Sequence, residues 1–259
     1  LRVPVSGGSD ALKIALLGHE RGKSVQIKNW MSKHLVSVEE DTPVVRVSKV
    51  MEDHQVRHLP VTRNGRLVGL ITDRDLKEAL PSRSVSLSAQ ELYHLLSEVK
   101  ARDVMQTEPI TIRPEQTVEA AAVQMLEHRI TAMPVVTREE ELLGIISQGD
   151  VFRVLIAITG IYQGGVQFAV ILEDTPGSIR QVADVIREEK GHIVSILSMT
   201  DTVEKGFRKV FLRIKPVPHA ALKAIIRKLE QRCTLLYVSQ DPLREMVSPS
   251  GLPPSPRDG

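Results

Sequence analysis

The chain has 259 residues, enough for one large domain or for two to three small ones. Its 34 basic and 32 acidic residues leave a net charge of +2, and only 3% of residues are aromatic, so neither a strong field nor a base-stacking surface is present to gather nucleic acid. Cys233 is the only cysteine, which excludes an intramolecular disulfide or a cysteine-rich metal site, and no apolar run reaches the ~18 residues of a membrane span.

Residues 1–24 fit neither of the repeats that follow and are read as an N-terminal extension, either disordered or not native. Their apolar run at 14–17 is shorter than the ~7–15 residues of a signal-peptide core, so a cytoplasmic location is expected. Two stretches, 30–76 and 104–151, then align almost without gaps. Met31 matches Met105, Met51 matches Met125, His54 matches His128 and Pro60 matches Pro134, each 74 residues on. Gly69 matches Gly144 and Asp75 matches Asp150 at an offset of 75, so one residue is inserted after the Pro-Val pair.

Each copy predicts the same order of elements. An extended stretch (36–38 or 110–112) leads into a helix. Val44, Val47, Val50 and Met51 fall at helical spacing in the first copy, and Val118, Ala121, Ala122 and Met125 in the second. A hairpin follows, with strands at 59–62 and 67–71 around Asn64-Gly65, or at 133–137 and 142–146 around 139–141. A second helix starts after Thr72 or Ser147. Between the copies Ser88 and Glu91 form a capping box for a linker helix, with Leu92, Leu95, Leu96 and Val99 as its buried stripe.

Beyond Gly164-Gly165 the pattern changes. A strand at 166–172 precedes a helix opened by Pro176-Gly177, with Ile179, Val182, Val185 and Ile186 on its apolar face and Gly191 closing it. Strands at 192–199 and 207–215, a helix carrying Leu222, Ile225, Ile226 and Leu229, and a strand at 234–239 complete a βαββαβ order, that of a ferredoxin-like α+β sandwich. The tail from 242 is rich in Pro and Ser and reads as disordered.

Chemistry concentrates where each repeat ends its second strand. Thr72 is followed three residues later by Asp75, and Ser147 by Asp150. A hydroxyl there caps the next helix, and the carboxylate one turn on can accept hydrogen bonds from a ribose diol. A plain capping box is the alternative for either copy taken alone; two copies at matched positions favour a site. Arg74 is a candidate phosphate contact, with pairing to Asp73 or exposure to solvent as the alternative, and the second repeat has Gly149 in its place. His54 and His128 read as helix-end residues, since no second ligand lies at the spacing a metal needs.

On these features residues 26–158 resemble a tandem pair of CBS domains, a Bateman module. The resemblance implies two clefts that bind AMP, ADP or ATP, with S-adenosylmethionine as the alternative. Asp75 and Asp150 would hold ribose hydroxyls, and Thr72 and Ser147 would lie near ribose or phosphate. The segments around His58 and Ala132 would flank the base, and Val36 and Ile110 would supply apolar wall. Residues 166–240 resemble an ACT domain, through the run from Glu173 to Ile179. Asp174 and Gly177 would then contact an amino acid, unless Asp174 merely caps the helix with Pro176 in its first turn. The order CBS–CBS–ACT resembles the acetoin utilisation protein B family, whose members begin near the equivalent of Gln26. Val25 is on that reading a native start.

The implied organisation is an extension at 1–24, CBS domains at 25–84 and 101–160 joined by a linker helix at 85–100, an ACT domain at 165–241 and a tail at 242–259. The implied function is regulatory and non-catalytic: a cytoplasmic homodimer that senses adenine nucleotides and an amino acid, without cofactor, metal, nucleic acid or membrane. An enzyme with a cryptic site and a ligand-free interaction module are the alternatives. No Ser/His/Asp or Cys/His constellation, HExxH or Walker loop is visible, and Cys233 reads as buried and not nucleophilic.

Overall fold

The computed structural model describes residues 24–79 and 97–240, which form two compact units, one ending at Phe152 and the other beginning at Arg153. The capping box at Ser88 and Glu91, with Leu92, Leu95 and Leu96, lies outside the described residues, as does the tail from 242. The first repeat builds β1 (Val38–Glu39), α1 (Val44–Asp53), β2 (His58–Arg63), β3 (Arg66–Thr72) and α2 (Asp73–Ala79). The second builds α3 (Ala101–Val104), β4 (Gln106–Thr107), α4 (Val118–His128), β5 (Ala132–Val136), β6 (Leu142–Ser147) and α5 (Gln148–Thr159).

The expected stripes are the buried ones. Helix α1 buries Val44, Val47 and Met51, and α4 buries the matched Val118, Ala121 and Met125. Asn64 and Gly65 have φ of 53° and 78°, as a two-residue turn between twisted strands requires. In the longer second turn the Thr137 hydroxyl takes over, accepting hydrogen bonds from the amides of Glu139 and Glu141 at 3.2 Å each.

The segment leading into each repeat docks on the other repeat. The Val44 amide donates to the Val99 carbonyl and the Ala101 amide to that of Thr42, at 2.9 and 2.8 Å. At the matched positions Val118 donates to Val25 and Ile27 to Gln116, at 2.8 and 2.9 Å. Ile27 and Ala101, themselves matched, are both fully buried. Strand β4 extends the first hairpin with Gln106 opposite Leu70, and Ser32 pairs likewise with Ile145. Glycine makes this approach feasible: a side chain on Gly69 would strike the Met105 sulfur, and one on Gly144 would lie 2.5 Å from the Ser32 carbonyl oxygen. Arg66 and Glu141, again matched residues, pair with each other, which is what a twofold relation between copies demands at its axis. His58 Nε2 also bridges the repeats, 2.8 Å from Thr131 Oγ1. Burial holds this imidazole below its ordinary value of 6.5, against a smaller opposing pull from Asp73.

The second unit contains β7 (Val166–Glu173), α6 (Ser178–Glu188), β8 (Ile193–Met199), β9 (Phe207–Ile214), α7 (His219–Arg232) and β10 (Thr234–Gln240). Its order is the expected βαββαβ, and its antiparallel sheet runs β10-β7-β9-β8. Alternate residues of β7 and β9, among them Phe168, Val170 and Leu212, pack against Val185 and Ile186 of α6 and Ile225 and Leu229 of α7. Two local expectations need correction. Asp174 does not cap α6: Gly177, at φ +92°, occupies the cap position and Pro176 lies before the helix. At the other end Lys190, not Gly191, adopts the left-handed conformation, at φ +59°. Gly191 is needed for proximity, its amide donating to the Ile186 carbonyl at 2.8 Å where a side chain would collide with Ile186. Cys233 is half-buried beside the Leu229 carbonyl, and burial pushes its thiol up, which disfavours the nucleophilic thiolate.

Two measurements test this bracing. Gly144→Ala is expected to cost about 1–3 kcal/mol, and Gly69→Ala less, because the obstructing atom is backbone in the first and a flexible methionine in the second. Equal costs by urea unfolding would contradict that packing. A lowered folded-state value for His58 means the unfolded chain takes up the proton first as pH falls. The associated stability is present above pH ~6.5 and is lost as pH drops through the folded value. His58→Gln, which keeps a hydrogen-bonding group near Thr131, is expected to flatten the acid loss of Tm between roughly pH 7.5 and 5 relative to the parent. Parallel Tm curves for the two proteins would rule out this role.

Candidate functional site

Both hydroxyl–aspartate pairs lie where a strand passes directly into a helix. Thr72 ends β3 and Asp75 stands in the first turn of α2; Ser147 ends β6 and Asp150 stands in the first turn of α5. Asp75 Oδ2 accepts hydrogen bonds from the Thr72 amide and hydroxyl, both at 2.7 Å, and Thr72 Oγ1 accepts from the Asp75 amide at 3.3 Å. For Ser147 and Asp150 the distances are 2.7, 2.7 and 3.4 Å. Each pair thus closes a reciprocal capping box, worth about 1 kcal/mol to its helix.

The surroundings of the two pairs differ. Asp75 is half-buried, and its Oδ1 accepts from Gln106 Nε2 at 3.1 Å, a group carried in by the exchanged segment of the second repeat. Asp150 is only 3% exposed. Across the hairpins His58 stands opposite Thr72 and Ala132 opposite Ser147, so the residues read as base-flanking adjoin the hydroxyls. Val36 is half-buried against the first repeat's core, and Ile110 is half-buried two residues before the Ile112–Val135 bridge. The Arg74 side chain is 83% exposed, in keeping with the solvent alternative, and pairs with Glu78 at 2.8 Å, while Asp73 faces Lys77. The i,i+4 spacing makes Glu78 the natural helical partner. Among the described residues no cluster of three or more His, Cys, Asp and Glu is placed to hold a metal.

In the second unit the loop after β7 borders a cavity of about 360 Å³ lined by Asp174, Gly177, Ser178 and Arg208 among others. The Arg208 guanidinium holds Asp174 through Nε at 2.7 Å, which is why this carboxylate is not at the helix cap. Arg208 escapes the sequence reading because it lies 34 residues from Asp174. The β7–β9 pairing, which sets Leu172 opposite Arg208, is the signal that locates it.

Comparison with known proteins matches the CBS domain model to residues 27–82 and 101–157. A CBS domain-containing protein of Dictyostelium discoideum is 30% identical over 135 residues, covering 52% of this chain and 93% of that protein. A homoserine O-acetyltransferase of Methanococcoides burtonii is 32% identical over 130 residues, covering 50% of this chain; the match spans only 24% of the enzyme. Among solved structures the CBS-pair protein CBSX2 of Arabidopsis thaliana is 26% identical, covering 53% of this chain and 99% of that one, with a TM-score of 0.46. Two matched repeats, the same strand-to-helix junction in each and a relative aligned over nearly its whole length place the chain in the CBS-domain family, with two CBS domains in tandem.

Proposed function

We propose that the tandem CBS domains bind an adenine nucleotide, AMP, ADP or ATP, with S-adenosylmethionine as the alternative ligand, and that the chain is a regulatory protein and not an enzyme. The observation that carries this reading is the duplicated junction, in which two aspartates are oriented by their hydroxyl partners in geometries that agree within 0.1 Å. An ionised carboxylate has room for about four hydrogen bonds, so a capped aspartate retains acceptor capacity for a ribose diol. Thr72 and Ser147 contact ribose or phosphate, His58 and Ala132 flank the base, and Val36 and Ile110 wall it. Arg74 reaches a phosphate only by leaving Glu78, an exposed ion pair of small worth.

The second unit acts in this reading as an ACT domain. Asp174 and Gly177 contact an amino acid in the cavity beside Arg208, the chain works as a cytoplasmic homodimer, and its output is tied to acetoin utilisation. Regulation then requires that ligand affinity differ between two states of the dimer. A second reading, a ligand-free interaction module, draws on the same junctions, because each capping box is complete without a ligand.

A melting screen separates the two. At a ligand concentration 100-fold above Kd, binding to the folded state alone adds about 2.7 kcal/mol, which for a unit of this size raises Tm by roughly 5–10 °C. Asp75→Asn with Asp150→Asn is expected to abolish the rise given by AMP, ADP or ATP. A rise that survives the double substitution places the nucleotide elsewhere, no rise with any ligand supports the interaction module, and turnover in the same samples revives an enzyme.

A further inference from the structure

The Thr72–Asp75 and Ser147–Asp150 junctions are built from matched residues. At the first, among the described residues, the Asp75 carboxylate has four polar contacts, all from Thr72 and Gln106. Oδ2 receives the Thr72 amide and hydroxyl at 2.7 Å each, together with a long 3.4 Å approach from Gln106 Nε2, and Oδ1 receives Gln106 Nε2 at 3.1 Å. The Thr72 contacts belong to the helix cap. The Gln106 contact does not: it comes from β4, whose backbone is held in register with β3 by the pairing of Gln106 with Leu70. Since Oδ2 is already crowded, the oxygen best placed to take a ligand hydroxyl is the one that the carboxamide occupies.

The matched position in the second repeat is Ser32, paired with Ile145 as Gln106 is with Leu70. A serine side chain is two bonds shorter than that of glutamine and carries no amide. Ser32 therefore presents no carboxamide at its junction.

We infer, on the nucleotide reading of the first cleft, that Gln106 is a specificity-determining residue there: its carboxamide competes with a ligand hydroxyl for Asp75 and weakens the affinity of that cleft. A ligand that donates a hydroxyl to Asp75 must turn the carboxamide away. One neutral donor is exchanged for another while the glutamine returns to water, so the difference is that of a single net hydrogen bond. Since β4 belongs to the exchanged segment, the competing group is supplied by one repeat to the cleft of the other.

Calorimetric titration with AMP tests this on the full chain carrying Asp150→Asn, which leaves the first cleft as the site observed. Gln106→Ser, the residue of the second repeat, is expected to tighten AMP by about three- to tenfold, the factor that one net hydrogen bond supplies. Gln106→Met keeps the side-chain length without the amide and is expected to do the same, so a folding defect in one variant does not decide the matter. With 2′,3′-dideoxy-AMP, which lacks both ribose hydroxyls, the gain should vanish. In the mirror experiment Ser32→Gln in an Asp75→Asn chain is expected to weaken AMP at the second cleft. Unchanged or weaker AMP binding in both Gln106 variants, or an equal gain with the dideoxynucleotide, overturns the role given to Gln106 while leaving the nucleotide reading intact. Absence of AMP binding in the unsubstituted chain overturns the nucleotide reading itself, and this inference with it.

Discussion

The first amides of α1 and α4 have no partner within their own repeats, and the rest of the first unit depends on how they are satisfied. A helix leaves its first N–H groups without intrahelical acceptors, and burying them unpaired is costly. Here the Val44 amide finds the Val99 carbonyl and the Val118 amide finds that of Val25, so each helix start is completed by the segment leading into the other repeat. The dependence is unequal. Helix α4 also has the Thr117 hydroxyl as a cap, 3.3 Å from the Ala120 amide, whereas α1 starts at Pro43 with no side-chain cap. The first repeat thus relies more on the exchange than the second.

The exchange also organises the strand-to-helix junctions. It seats Met105 against Gly69 and Ser32 against Gly144, and it carries Gln106 to Asp75. Burying Ile27 is worth about 1.5–3 kcal/mol and each exchanged hydrogen bond about 0.5–1.5, more in sum than the ~1 kcal/mol of a single helix cap. The hydroxyl–aspartate junctions are therefore held by the packing around them and not only by their own capping bonds. Such a frame leaves two carboxylates at equivalent points of a nearly symmetric body, with chemically different neighbours.

Much of this was legible in the sequence for definite reasons. The duplication appears in offsets of 74 and 75, the helices in the spacing of Val44, Val47 and Met51, the first turn in Asn64-Gly65, and the second unit in its alternating β7 residues. The exchange of leading segments was not legible, because it is made by backbone hydrogen bonds that any residue can form. The sequence pairs Met31 with Met105 as equivalents but does not say that each methionine packs on the opposite repeat's glycine. Ion pairs were the other blind spot: Arg74 chose Glu78 over Asp73 through helical geometry, and Asp174 was drawn from the helix cap by Arg208 on a strand far along the chain. At Lys190 and Gly191 the usual glycine rule misled, since proximity to Ile186 and not backbone handedness is what requires the glycine.

Hydrogen exchange in the Gly144→Ala variant, read at the amides of Val44 and Ala101 on one side and Val118 and Ile27 on the other, tests the reciprocal bracing most directly. If each repeat completes the other, crowding Ser32 at the second repeat lowers protection at all four amides together. Loss confined to Val118 and Ile27, with Val44 and Ala101 as protected as in the parent, would show that the repeats fold as independent pieces and would contradict the account.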